Sequence, residues 1–325
     1  MNRRHFLLSG AAAAGALCLP HAFAATAYPD RPVRLVVPFP AGGGTDVLAR
    51  QLAKAVAQEW NQPIVVENRP GAGGSIGAAQ VAGSPADGYS LLMTTAGVSA
   101  INPELYKKLP YDPATQFAPI SRVASTVFVV VVHPSLPVTS MAELIELAKR
   151  RPGTLTFGSA GNGAAGHLPA ELFKSMAGID IRHIPYRGTS PALADLMGGQ
   201  ISMMFAILGA ALPAIQAGQL RALATTGQQR SVVLPDLPTV AEAGLPGYAA
   251  DEWWGLAAPA GTPDPVVRQW NDAIRQFVQA PESRAHLIGA GFEPSFDTPQ
   301  AFAQLIAHDR EKWGDVIRQA GVTLG

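Results

Sequence analysis

From residue 33 onward the chain repeats one pattern: an apolar run, a glycine-rich turn, then a helical stretch. Parallel neighbours need a crossover, and a helix supplies it, so this alternation confines the chain to an α/β fold with mainly parallel sheets. The first unit is Val33–Val37, a turn over Phe39–Gly44, and a helix opened by Thr45 and Asp46. Ile64–Glu67 is the second strand, followed by a turn over 68–74 and a helix over Gly77–Ala82. Tyr89–Thr94 is the third, ending in Thr95, Ala96 and Gly97.

The β-branched run Val127–Val132 reads as a fully buried strand and starts a second set. Ser140 and Glu143 fit a capping box. Leu155–Gly158 is a strand, Ser159–Gly166 a loop, and His167–Ala177 a helix that Gly178 caps. Ile179–Pro185 is another strand, leading to Tyr186, Arg187 and a helix start near Pro191. Two sets of units predict two lobes. The division falls at 28–126 plus 250–325 for the first lobe and 127–249 for the second.

Among 325 residues, 48% are hydrophobic, enough for well-buried cores. The formal net charge is zero, which argues against nucleic acid as a partner. Residues 1–24 read as an export signal: Arg3 and Arg4 precede a mild apolar run, and Ala22-Phe23-Ala24 and Ala25-Thr26-Ala27 both fit a cleavage site. The Arg3-Arg4-His5-Phe6-Leu7 run also fits a twin-arginine signal, so either export route is open. The single cysteine, Cys18, lies inside this segment. A mature exported chain would therefore hold neither disulfide nor thiolate.

The first turn carries the leading functional signal. Three consecutive glycines, Gly42–Gly44, allow unusual backbone angles, and the helix start beyond them offers unpaired amides and a positive dipole end. Phe39, Ala41, Gly42, Gly43, Gly44, Thr45 and Asp46 thus form a candidate carboxylate site. No Lys-Ser/Thr follows the glycines, so a nucleotide does not fit. Thr95, Ala96 and Gly97, at the end of the third strand, join this set. The loop Ser159, Ala160, Gly161, Asn162 and onward to His167 matches G-x-G-x-x-G, but Asp180 sits at the wrong end of the next strand for a dinucleotide. Small-anion binding by its amides and the Ser159 hydroxyl is the better reading, with a purely structural turn as the plain alternative.

Gly73-Gly74-Ser75-Ile76-Gly77 matches a nucleophile elbow, although its serine lies eight residues past the strand end. In a chain with 33 glycines such a match arises readily by chance. Ser75 is better read as a helix cap beside a ligand. A serine hydrolase using Ser75 is the enzymatic alternative. The five histidines after residue 24 (133, 167, 183, 286 and 308) show no metal spacing, and no cofactor motif is present. His167 could touch a ligand or brace its loop. Arg187 could pair with a carboxylate or be solvated. Of Trp253 and Trp254, one packs in a core and the other covers a ligand; Trp253 is the candidate contact.

Taken together, the motifs resemble the Bug family, the TctC-like receptors of tripartite tricarboxylate transporters. The resemblance rests on 28-YPDRP-32, 38-PFPAGGGTD-46, 67-ENRPGAGG-74, the 159–168 loop, 185-PYRG-188, 220-LRALA-224, 234-LPDLPT-239 and 257-AAPAGTP-263, in order along the chain. It implies a periplasmic Venus flytrap of the type II-like class, with two α/β lobes joined by two crossing strands. A small mono- or dicarboxylate would sit between them, held by amides, hydroxyls and waters. Phe39–Asp46 would form one clamp, and Ser159–Asn162 with Tyr186 the other. Ser202 and Ala206 stand where the family often has acids, which disfavours a ligand bearing an ammonium group. The apolar Met203–Leu208 run permits a hydrophobic or aromatic ligand body, with Ala206 as a contact. The expected partners are a membrane permease or a sensor kinase, with the receptor itself monomeric, without metal or cofactor, and not an enzyme.

Overall fold

Val33–Val37 (β1) is buried at four of its five positions, as an apolar run between two neighbours requires. The computed structural model describes residues 28–322; the export signal over 1–24, its cleavage points and Cys18 lie outside them. β1 pairs in parallel with Ile64–Asn68 (β2) and Ser90–Thr95 (β3). The crossover helix Gly44–Trp60 (α1) buries Leu48, Ala49, Leu52, Ala53 and Val56, the three- and four-residue spacing of one helix face. The helix Ser75–Ala82 (α2) returns the chain to β3. A short helical turn over Gly97–Ile101 and the helix Asn102–Leu105 (α3) then project towards the other lobe.

The long strand Phe117–Val132 (β4) joins the two halves. Residues Phe117–Val127 pair antiparallel with Asp251–Pro259 (β9), which itself pairs with β3. From Phe128 onward β4 pairs instead with Met203–Ile207 (β7) and Arg221–Thr225 (β8). Thr156–Ser159 (β5) lies parallel to β7 and to Arg182–Pro185 (β6). Each half therefore has three parallel strands, closed on one side by antiparallel crossing strands. The second crossing runs from β8 to β9. Thr226 pins it: its Oγ1 accepts from Phe128 N at 2.8 Å and donates to Ala250 O at 2.5 Å.

The remaining helices cover the sheets. Met141–Arg150 (α4) begins with Ser140 Oγ accepting from Glu143 N, as the capping signature predicts. His167–Ala177 (α5) ends at Gly178, φ +61°. Thr189–Met197 (α6) and Leu208–Gln216 (α7) flank β7. Asp264–Gln279 (α8) packs Trp270, Ile274 and Phe277 into the β1–β3 core, and Pro281–Gly289 (α9) follows it. Glu293–Pro294 (β10) pairs with β4. The last helix, Pro299–Ala320 (α10), touches both halves: Phe302 packs with Ala96 and Trp253, whereas Trp313, Val316 and Ile317 join a core with Phe128, Phe173 and Leu144. Ala100 and Leu105 belong to that same second core. The two halves are thus closed on each other.

Candidate functional site

The first turn works differently from what three glycines suggest. Only Gly42 has a left-handed φ, +81°. Gly43 has φ −77°, and a Cβ there would meet only Pro40 O at 3.5 Å. No side chain caps α1. Its first amides are left for a guest at the positive end of the dipole.

Asp46 does not face that guest. Its Oδ2 accepts from Gly42 N at 2.9 Å and Arg50 Nε at 3.0 Å, and its Oδ1 from Asn68 Nδ2 at 2.9 Å. Asn68 Nδ2 also reaches Phe39 O. Asp46 therefore staples the turn to β2. The Arg50 hydrogen bond above all, with those of Gly42 and Asn68, lowers its pKa to about 2. A depressed carboxyl pKa stabilises the fold above the unfolded value and ceases to do so as pH falls through the folded one. Asp46→Asn should therefore cost about 2 kcal/mol near pH 7, and roughly half of that difference should vanish by pH 3. Thermal melts of both proteins at the two pH values check this.

The second loop is also internally braced. Ser159 is fully buried; its Oγ accepts from Gly161 N at 3.1 Å and shares a 2.6 Å hydrogen bond with His183 Nε2. Its hydroxyl, expected at the ligand, is spent inside the lobe. His167 Nδ1 accepts from Gly163 N at 2.9 Å, so this histidine braces the loop. The His167 and His183 rings stack at 4.0 Å. Burial first, then the neighbouring His183 and Lys174, lowers the His167 pKa to about 3; burial and Lys174 lower that of His183 to about 4. Both rings are neutral in the folded protein. Gly166, φ +83°, precedes α5, which again has no side-chain cap.

Between the two loops lies a cavity of about 310 Å³. Phe39, Thr45, Thr95, Gly97 and Asn162 of the sequence candidates line it. Trp254 lines it too, donating from Nε1 to Thr45 Oγ1 at 2.8 Å. Trp253, the expected contact, points the other way: its Nε1 donates to Asp309 and its ring packs on Phe302. Strand alternation explains the exchange, because neighbours on β9 face opposite layers. The same rule removes Ala206, which faces Ala192 and Leu196, whereas its neighbour Ile207 meets the cavity. Ala96 is buried against Trp253 and Phe302. Ala41, Gly42, Gly43 and Gly44 are exposed, and none of the four is on the cavity wall. Ala160 and Gly161 are tied within their loop. Tyr186 donates its hydroxyl to Asp195, and Arg187 is exposed. Ser75 is buried behind Asn102, whose Nδ2 approaches its Oγ at 3.4 Å. No histidine hydrogen-bonds to Ser75 among the described residues.

Sequence reasoning missed Asn102, Leu105, Tyr106, Phe128, Leu168, Trp313, Asp251 and Glu252, all on the cavity wall. Glu252 shares a β9 face with Trp254 and was within reach of the alternation rule. Ser202, just before β7, accepts from Thr156 N, and no acid stands there. The acids enter from the crossing strand. No Lys or Arg lines the cavity. An anion there must be met by amides, hydroxyls and Asn side chains at two helix starts. No group of residues suited to a metal ion occurs among the described residues.

Two α/β lobes joined by crossing strands and closed over a cavity of this kind define a two-lobe solute-binding protein. The chain belongs to the tripartite tricarboxylate transporter receptor family, whose profile matches residues 48–322. It is 38% identical to protein BugT of Bordetella pertussis over 301 residues, 92% of each chain. Its fold matches that of a protein of R. palustris solved with adipate, with TM-score 0.79, 40% identity, and coverage of 91% of this chain and 99% of that one. MatC of Rhodopseudomonas palustris, solved with bound malate, matches with TM-score 0.74 and 32% identity over 89% of this chain and 100% of its own. These matches bear out the family resemblance and the two-lobe α/β fold.

Proposed function

We propose that this chain is a periplasmic receptor that closes its lobes on a small carboxylate and presents the closed form to a tripartite permease. One observation carries the reading: two helix starts without side-chain caps reach one cavity, through Thr45 and Gly166 on its wall, and that wall lacks any cationic side chain. The solved relatives with adipate and malate support the same ligand class. In this reading the lobes are 28–126 plus 250–325 and 127–249. The chain is exported on residues 1–24 and acts as a monomer, docking on a permease or a sensor kinase. No helix among the described residues is long and apolar enough to cross a membrane.

The role is binding without turnover. Ser75 has the surroundings of a helix start rather than of a nucleophile, so Ser75→Ala should leave ligand affinity intact and no ester hydrolysis should accompany either form. Calorimetry against aliphatic and aromatic carboxylates should find at least one ligand with Kd on the order of micromolar, roughly −8 kcal/mol. Silence across the whole panel would sink the receptor reading.

A further inference from the structure

Glu252 is half-buried on the cavity wall, and its side chain makes no hydrogen bond or ion pair among the described residues. Beside it, Asp251 Oδ1 is buried without a partner. Carboxyls withdrawn from water without a partner are costly and call for an explanation. The charged groups around them are few. Asp309 and Lys312 approach from α10, Glu293 from β10 and Arg122 from β4. None of the cations reaches either carboxylate: Lys312 Nζ lies 4.4 Å over the Trp313 ring, and Arg122 is paired with Asp297.

Position completes the argument. Trp254 touches Thr45 at the start of α1, the anion end of the cavity. Glu252 lies two residues away on the same face of β9, about 7 Å along a strand. The cavity is therefore polarised. Amide donors gather at one end and unpaired carboxyl acceptors at the other, with Phe128, Leu105 and Trp313 among the apolar residues of its wall. We propose that Glu252, backed by Asp251, receives a positively charged nitrogen of the ligand, so that the captured solute is an amino carboxylate with its charges a few carbons apart. This rests on the receptor reading and deepens it. It reverses the expectation, drawn from Ser202 and Ala206, that an ammonium group is disfavoured. A buried carboxyl that is protonated while empty must ionise to receive a cation. Binding should thus release close to one proton near neutral pH.

The test is calorimetry of the full mature chain with 4-aminobutanoate, 5-aminopentanoate, 6-aminohexanoate, adipate and hexanoate, in buffers of different ionisation heat. At least one amino carboxylate should bind ten-fold or more tightly than adipate and hexanoate, with proton release. Glu252→Gln should erase that preference while keeping a cooperative thermal melt, which shows that the variant is folded. Tightest binding of adipate without proton release would overturn the proposal, since Glu252 would then keep its proton and donate it in a hydrogen bond to a second carboxylate. An amino preference unchanged in Glu252→Gln would overturn it as well. If carboxylates bind without discrimination, this inference fails alone; if none binds, the receptor reading fails with it.

Discussion

Gly163→Val should abolish ligand capture, by at least 100-fold in Kd, while both lobes stay folded. Gly163 has φ +70°, and a Cβ at this position would lie 2.4 Å from Leu105 Cδ2. Leu105 belongs to α3 in the first half, and Gly163 to the second-half loop. Leu105 is 3% exposed and embedded in the core with Phe128 and Trp313, so it has little room to yield. The two meet only when the halves are closed. A β-branched side chain therefore props the cleft open and separates the two sets of amides that must grip one anion. Within its own lobe the substitution costs only the strain of a left-handed residue, about 1–2 kcal/mol. Calorimetry with the best carboxylate, together with a thermal melt, separates these effects. Unchanged affinity would show that capture does not need this contact. Loss of the cooperative melt would show that the loop belongs to the folding core.

A second glycine contact supports the same geometry. A Cβ on Gly291, φ +81°, would lie 2.8 Å from Gly209 Cα, backbone against backbone, where α7 meets the loop after α9. Closure thus brings main chain against main chain, leaving no room for a Cβ at Gly291 and little at Gly209, where it would lie 3.2 Å from Ala290 O. The sequence marks neither pairing, because residues 209 and 291, or 105 and 163, are brought together only by the crossing strands.

What sequence spacing does carry is local. The run Val33–Val37 with its turn, the capping pair Ser140 and Glu143, and the stop at Gly178 each depend on neighbours within one turn or strand, and each stands where expected. The site was legible to the same depth: the turns at Phe39 and Ser159 do flank the cavity. Which side chain of a turn faces the ligand was not. Ser159 and Asp46 have the right chemistry for a ligand but spend it on bracing, because a buried hydroxyl or carboxylate in a glycine-rich loop is nearer to its own loop amides than to any guest. Trp253 and Ala206 lie off the cavity wall for a different reason. A strand shows its two faces equally, and only the position of the other lobe decides which face is the cavity.

The apo protein should be about 3 kcal/mol more stable at pH 6.5 than at pH 9, with almost no change between pH 5 and 6.5. Four buried or half-buried groups set this profile. Burial lowers the pKa values of His167 and His183 to about 3 and about 4. Between those values and 6.5 the unfolded chain binds two more protons, so this pair makes stability rise with pH. Burial raises those of Asp251 and Glu252 to about 7 and about 8. From about pH 4.5 up to those values the folded chain binds two more protons, so these carboxyls make stability fall as pH rises. Below pH 6.5 the two pairs oppose each other at about 1.4 kcal/mol per group per pH unit and nearly cancel. Above it the histidines are neutral in both states, and the acids act alone. Glu252→Gln should accordingly remove about 2 kcal/mol of the alkaline loss and turn the flat acid region into one where stability rises with pH by a similar amount. Denaturant melts at half-unit pH steps measure both slopes. A parallel shift without a change of slope would mean that Glu252 is ionised in the empty protein. A saturating amino carboxylate should flatten the alkaline fall in the wild type alone, because a cation beside Glu252 supplies at pH 9 the partner that the empty cavity lacks.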